Sequence, residues 1–213
     1  SIGMFIFLFT PWIGRKTILS KVPLNRFYIS ERFGAFTIII LGQTIASVVF
    51  GLESTNWNVS SVITSIAAFT LALLIWAQYS RFSQISDYKC NLNSGQPFIY
   101  SHIPLIISLI IIGVCAQYFI NTSIPIPAKI NIIFCFAIIL YLTSFLLLQY
   151  IAILKFEIRA IIYMTGIAAL LILFFSYPLS ALIKMLGLVI IFTVLFGFQY
   201  NLGVHHEHEH HHH

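Results

Sequence analysis

The sequence predicts an all-α fold, a polytopic transmembrane bundle of six full spanning helices preceded by a partial one at the N-terminus. Three observations predict it. Only 8% of the residues are charged and 59% are hydrophobic, with a mean hydropathy of +0.96; a soluble domain carries about 25% charged residues and needs them to cover its surface. Stretches free of Asp, Glu, Lys and Arg recur at Phe33–Leu52, Ser54–Ser80, Cys90–Ala128, Ile130–Leu154, Ala160–Ile183 and Met185–His206, each meeting the requirement of about 20 residues for a helix that crosses a bilayer. Finally, these runs are continuously apolar and do not alternate, so they exclude a barrel and leave helices, the other backbone that satisfies itself in lipid.

The elements follow from the breakers between the runs. The opening run SIGMFIFLF stops at Thr10–Pro11, too short to span, has no basic n-region, and reads as the end of a spanning helix that starts upstream in a longer protein. Pro23 precedes the first full helix, expected over about 25–51. Asn56–Trp57–Asn58 opens the second (57–80), Gly95–Gln96–Pro97 the third (97–120), and Pro125 and Pro127 the fourth (127–151). Phe156 opens the fifth (156–177), and Tyr177–Pro178 makes a tight hairpin into the sixth (179–201), where Asn201–Leu202–Gly203 supplies a C-cap. Residues 1–203 form a single transmembrane domain. The tail 204–213 holds seven of the eight histidines and is read as an affinity tag, outside the fold.

Lysine and arginine set the orientation. Arg15, Lys16, Lys21, Arg26, Arg32, Arg81, Lys89, Lys155 and Arg159 fall in loops on one side; only Lys129 and Lys184 fall on the other. By the positive-inside rule the rich side is cytoplasmic, and the C-terminus lies there too. The net positive charge therefore reports topology facing anionic headgroups, and no nucleic-acid motif accompanies it. Cys90, Cys115 and Cys135 fit no metal or redox spacing; Cys115 and Cys135 read as buried apolar thiols. No metal site, cofactor or catalytic constellation is expected: there is no HExxH, no Ser-Lys or Ser-His pair in register and no paired intramembrane carboxylate.

The stretch ERFGAFTIIILGQTIASVV, residues 31–49, carries the first candidate site. On a helix Gly34, Gly42 and Ala46 share a face with Glu31, and small residues let helix backbones approach in lipid. That face is expected to pack on a neighbour, so that Gly42→Leu would destabilise more than Leu41→Ala. Arg32, Gln43 and Ser47 form an adjacent stripe. Gln43 lies roughly 18 Å beyond Glu31 at 1.5 Å per residue, near mid-bilayer, where an amide must find a hydrogen-bond partner or a polar pathway. Glu31 and Arg32 sit at the cytoplasmic edge as an anchor or a gate. His102 stands in the first turns of the third helix, just before Pro104, as an interfacial hydrogen-bonding or proton-handling group. Trp76 and Tyr79 fit an aromatic belt, and Gln117, Asn131, Tyr141, Gln149 and Tyr163 complete the strongly polar intramembrane groups.

Three segments in order, ERFGAFTIIILGQTI, LLIWAQYSR and YSHIPLIISLIIIG, resemble the bacterial low temperature requirement A family, whose helices read close to ERFGLFTIIVLGE, W-x-x-YFD and Y-x-H-x-P-L. The resemblance covers about residues 20–200 and looks like the second half of that family's membrane domain. Two family acids are missing: Gln43 stands after Leu41–Gly42, and Ser80–Arg81 follow Tyr79. The leading expectation is a bacterial cytoplasmic-membrane protein that moves a small solute or ion, with Gln43, Glu31, Arg32 and His102 as its polar sites. The alternative is a non-transporting subunit or scaffold that packs with lipid, a second copy or a membrane partner. A water-filled cavity reaching Gln43 would favour the first, a dry packed core the second.

Overall fold

The computed structural model describes the backbone over residues 26–55, 57–85, 92–121, 125–153 and 158–210. The partial helix expected before residue 11 lies outside the described residues. All regular structure within them is α-helical: α1 (Arg26–Glu53), α2 (Val59–Ile85), α3 (Leu92–Ile120), α4 (Ala128–Ile153), α5 (Ile158–Ser176) and α6 (Ala181–His210). Four of them contain stretches long and apolar enough to cross a membrane, Glu31–Glu53, Val59–Ser83, Pro97–Ile120 and Ala128–Ile151. The apolar stretches found in α5 and α6, Gly166–Ser176 and Ala181–Gly197, are shorter.

The helix starts have local causes. Asn58 caps α2 by accepting a 2.7 Å hydrogen bond from the Ser61 amide, and Ser180 caps α6 through the Ile183 amide at 3.4 Å. The Pro127 carbonyl takes the Ile130 and Asn131 amides as α4 begins. Three boundaries differ from the expectation: α2 runs on to Ile85, and two others have clear causes. α3 starts at Leu92 and carries Pro97 and Pro104 in its interior: each removes one ladder bond, and membrane helices continue through such prolines because neighbouring groups satisfy the freed carbonyls. α6 runs past Asn201–Leu202–Gly203 into the tail, and no glycine among the described residues takes a positive φ. A glycine inside a helix costs only about 1 kcal/mol, and the His/Glu sequence beyond it is compatible with helix.

α3 is the central helix. It packs on α1 on one side and α4 on the other, while α6 lies along α2, α1 touches α2, and α5 packs on α4. The core holds Leu105, Leu109, Phe119, Phe134, Ile138, Tyr141 and Phe192. Outward-facing positions are just as apolar: Ile39, Ile66, Phe136, Leu173 and Val194 are all largely exposed. An apolar belt of this extent is what a bilayer covers. Trp76 faces outward with it. Tyr79, expected in the same belt, is instead buried.

Backbone approach is closest where glycines face bulk. A Cβ at Gly113 of α3 would lie 3.0–3.3 Å from Thr44 of α1, and one at Gly51 of α1 would lie 3.1–3.3 Å from Ile120 and Gln117 of α3. At the α5–α6 hairpin Gly187 receives the Phe174 ring. The expected packing face of α1 is corrected here. Among the described residues a Cβ at Gly34 or Gly42 would meet no atom within 4 Å, and Gly42 and Ala46 are exposed. The packed stripe is Thr37, Ile40, Leu41, Thr44, Ser47, Val48 and Gly51, a period near 3.6 on the adjacent side of the helix. Because Leu41 is buried and Gly42 is not, the expected stability ranking of their substitutions reverses.

Candidate functional site

Hydroxyl groups inside an apolar helix first satisfy themselves. Thr44, Ser47, Thr64, Ser65 and Ser144 donate to carbonyls one turn back on their own helices, and such groups carry little function. The groups that reach between helices stand out against them, and two such places share one turn of α2.

The first is the junction of α1, α2 and α3. His102 is fully buried. Its Nδ1 lies 2.8 Å from the Phe98 carbonyl, one turn back on α3. A carbonyl only accepts, so Nδ1 carries the proton and Nε2 of the neutral ring presents its lone pair. The Tyr79 hydroxyl of α2 is 3.1 Å from Nε2 and therefore donates to it. The Thr37 hydroxyl of α1 lies beside the Tyr79 phenol and donates to the Phe33 carbonyl at 2.8 Å. Aromatic rings close the site: Phe33 stacks on the imidazole at 4.1 Å between centroids, and Phe98 meets it edge-on at 4.7 Å. Counted from the ends of the apolar stretches, Thr37, Tyr79 and His102 sit roughly 6–9 Å inside one end of the bundle at 1.5 Å per residue.

This arrangement can change state without moving a helix. With the ring neutral, Tyr79 donates to His102. If Nε2 gains a proton it becomes a donor, Tyr79 must accept, and its own proton is free to turn to the Thr37 oxygen. The node thus has two hydrogen-bond polarities in one geometry.

The second place joins α2 to α4. The Tyr141 hydroxyl donates to the Gln78 side-chain carbonyl at 3.2 Å, both groups buried. Tyr141 stacks on Phe145 and lies against Phe192 of α6. Gln78 and Tyr79 are neighbours in sequence, so one turn of α2 serves both places.

The expected site residues separate. His102 is at the centre of the first node. Ser47 is buried on the inward face of α1, roughly 15 Å along the helix from Thr37 at 1.5 Å per residue, and donates to the Gln43 backbone carbonyl at 3.1 Å. Gln43 itself is exposed, as are Glu31 and Arg32, so the structure does not bring Gln43 to a polar partner inside this bundle. Two residues of a stripe four apart on a helix share a side only approximately, and the boundary of the packed face runs between them. Thr37, Gln78 and Tyr79 were missed as site residues. A signal existed: Phe33 and Thr37 lie in ERFGAFT, Gln78 and Tyr79 in WAQYSR, and His102 in YSHIPL. The three segments that carry the family resemblance converge on one buried histidine. Cys115 and Cys135 are free and buried, as expected; Cys90 and the Tyr163 side chain lie outside what is described.

Over residues 2–196 the sequence matches the family described as bacterial low temperature requirement A protein (LtrA). No curated protein matches the chain, and no solved structure does. The family match takes in all three converging segments and most of the 213 residues: the chain belongs to the bacterial low temperature requirement A family.

Proposed function

We propose that this membrane protein moves a small solute or ion across the bacterial cytoplasmic membrane and that its movement is coupled to the protonation of His102. The observation that carries the reading is a fully buried imidazole whose two nitrogens are engaged by α3 and α2 inside apolar stretches. Ionisable groups at such depth are costly and mark pathways or relays in membrane bundles. In this reading α5 and α6 are the fifth and sixth spans, and the basic loops and the C-terminus face the cytoplasm. Cysteine accessibility labelling in intact cells checks that topology; external labelling of Cys90 would overturn it.

Flux into proteoliposomes tests the function. His102→Gln and Tyr79→Phe are expected to lower proton-coupled flux at least tenfold, about 1.4 kcal/mol in barrier, while Phe136→Leu on the outer face leaves it unchanged. A folded His102→Gln protein with parental flux ends the transport reading at this residue.

The alternative, a non-transporting subunit, is favoured by the outer face of α1. Gly42, Gln43 and Ala46 are exposed together, and an amide at this depth gains from a partner helix. Cysteine cross-linking from position 42 in native membranes checks this: crosslinks to protein support the subunit reading, and none are expected if lipid alone covers the face.

A further inference from the structure

The transport reading leaves one buried cation unused. Lys184 stands in the first turn of α6, and only 2% of it is exposed. Its Nζ donates one hydrogen bond, 3.0 Å to the side-chain oxygen of Asn131 in the first turn of α4, and lies 5.7 Å from the centre of the Phe175 ring at the end of α5. An ammonium has three N–H donors. Among the described residues one oxygen and one ring face are all that it is given. The carboxylates whose side chains are described, Glu31 and Glu53, are both on α1 and both exposed, and neither pairs with it.

Three physical facts then act together. Burying a charge without a counter-charge is expensive, several kcal/mol even after relaxation. A lysine in the first turn of a helix also sits at the positive end of the macrodipole, which disfavours it further. The same helix start offers backbone N–H groups, beside the Ser180 cap, that suit an anion. Phe175, the ring over the ammonium, is itself packed on Phe119 and Phe134, with ring centroids 4.7–6.3 Å apart. An added negative group would relieve all of these terms at once.

We propose that Lys184 and Asn131 form an anion site at the α5–α6 hairpin end of the bundle, selective for an oxyanion such as a phosphate or carboxylate group. Lys184 supplies the charge and its remaining N–H donors. Asn131 holds the ammonium in place, and Phe175 shields one side from water. Two sources share this chemistry: the headgroup of an anionic lipid and a soluble anion. Lys129, exposed on the first turn of α4, is the natural control, because it is a cation at the same end without the burial.

The test is thermal unfolding of the full-length protein in neutral detergent, titrated with phosphatidylglycerol, phosphatidylcholine or inorganic phosphate. At a hundredfold excess over Kd a single site is expected to raise Tm by about 5–10 °C. Phosphatidylglycerol alone producing the shift assigns the site to a lipid headgroup; an equal shift with phosphate assigns it to a soluble anion. Lys184→Met is expected to abolish the shift, Lys184→Arg to retain it, Asn131→Leu to weaken it and Lys129→Ala to leave it intact. If Lys184→Met does not fold, a weakened shift in Asn131→Leu beside its retention in Lys129→Ala carries the same information. A shift from phosphatidylcholine equal to that from phosphatidylglycerol, a shift undiminished in Lys184→Met, or no shift with either anion overturns the proposal.

Discussion

Tyr141→Ala is expected to lower stability by about 3 kcal/mol. The ring is fully buried, stacked on Phe145 and set against Phe192, and its hydroxyl reaches Gln78. Truncating a large buried aromatic ring costs about 3–5 kcal/mol in soluble cores, part transfer and part cavity. In a bilayer the unfolded helices already sit in apolar surroundings, so the transfer part shrinks and lost packing dominates; the lower end of the range is expected. Tyr141→Phe separates the terms. It keeps the ring and orphans the Gln78 oxygen, at a cost of about 1 kcal/mol. Unfolding in mixed micelles measures both. Equal losses for the two variants would mean that the hydrogen bond, not the ring, holds α4 to α2.

Gly113→Leu should be comparably damaging, about 3 kcal/mol, with Gly42→Leu within about 0.5 kcal/mol of the parent. At Gly113 the added side chain meets the Thr44 Cα as well as its side chain, and a backbone atom cannot rotate away. Relief requires α1 and α3 to separate, which also loosens the contact of Gly51 with Gln117 and Ile120. At Gly42 the new side chain points into open space. The pair reads the packing face of α1 directly, by the same unfolding assay. Separation of α1 from α3 would also pull Phe33 off His102, so Gly113→Leu is expected to lose flux as well as stability. Matching stability of Gly42→Leu and Gly113→Leu would place the helix interface elsewhere.

Helix identity and approximate limits were legible because a bilayer enforces them: charge-free runs of spanning length have one backbone solution, and Asn58, Pro127 and Pro178 stop or start it through their own chemistry. His102 was legible as a rare polar group within such a run. The face that α1 presents to its neighbours was not. Gly34, Gly42 and Ala46 make one face of α1 small, but Thr37, Thr44, Ser47 and Gly51 make the adjacent face nearly as small, and α1 alone does not rank them. The ranking comes from α3, which brings Gly113 opposite Thr44. Likewise Tyr79 read as a belt residue because its ring and hydroxyl suit a membrane surface equally well; only the arrival of His102 from a helix 23 residues later in the chain turns it inward. Lys184 read as a loop-side topology marker until Asn131 and Phe175, from two other helices, were found over it. Sequence by itself determined that this chain is a membrane-embedded helical protein and where its helices lie, since that depends on each segment's own exchange between water and lipid. Tertiary structure decided which side of each helix faces inward and which polar groups meet, because in lipid those choices rest on interhelical fit, which no single segment contains.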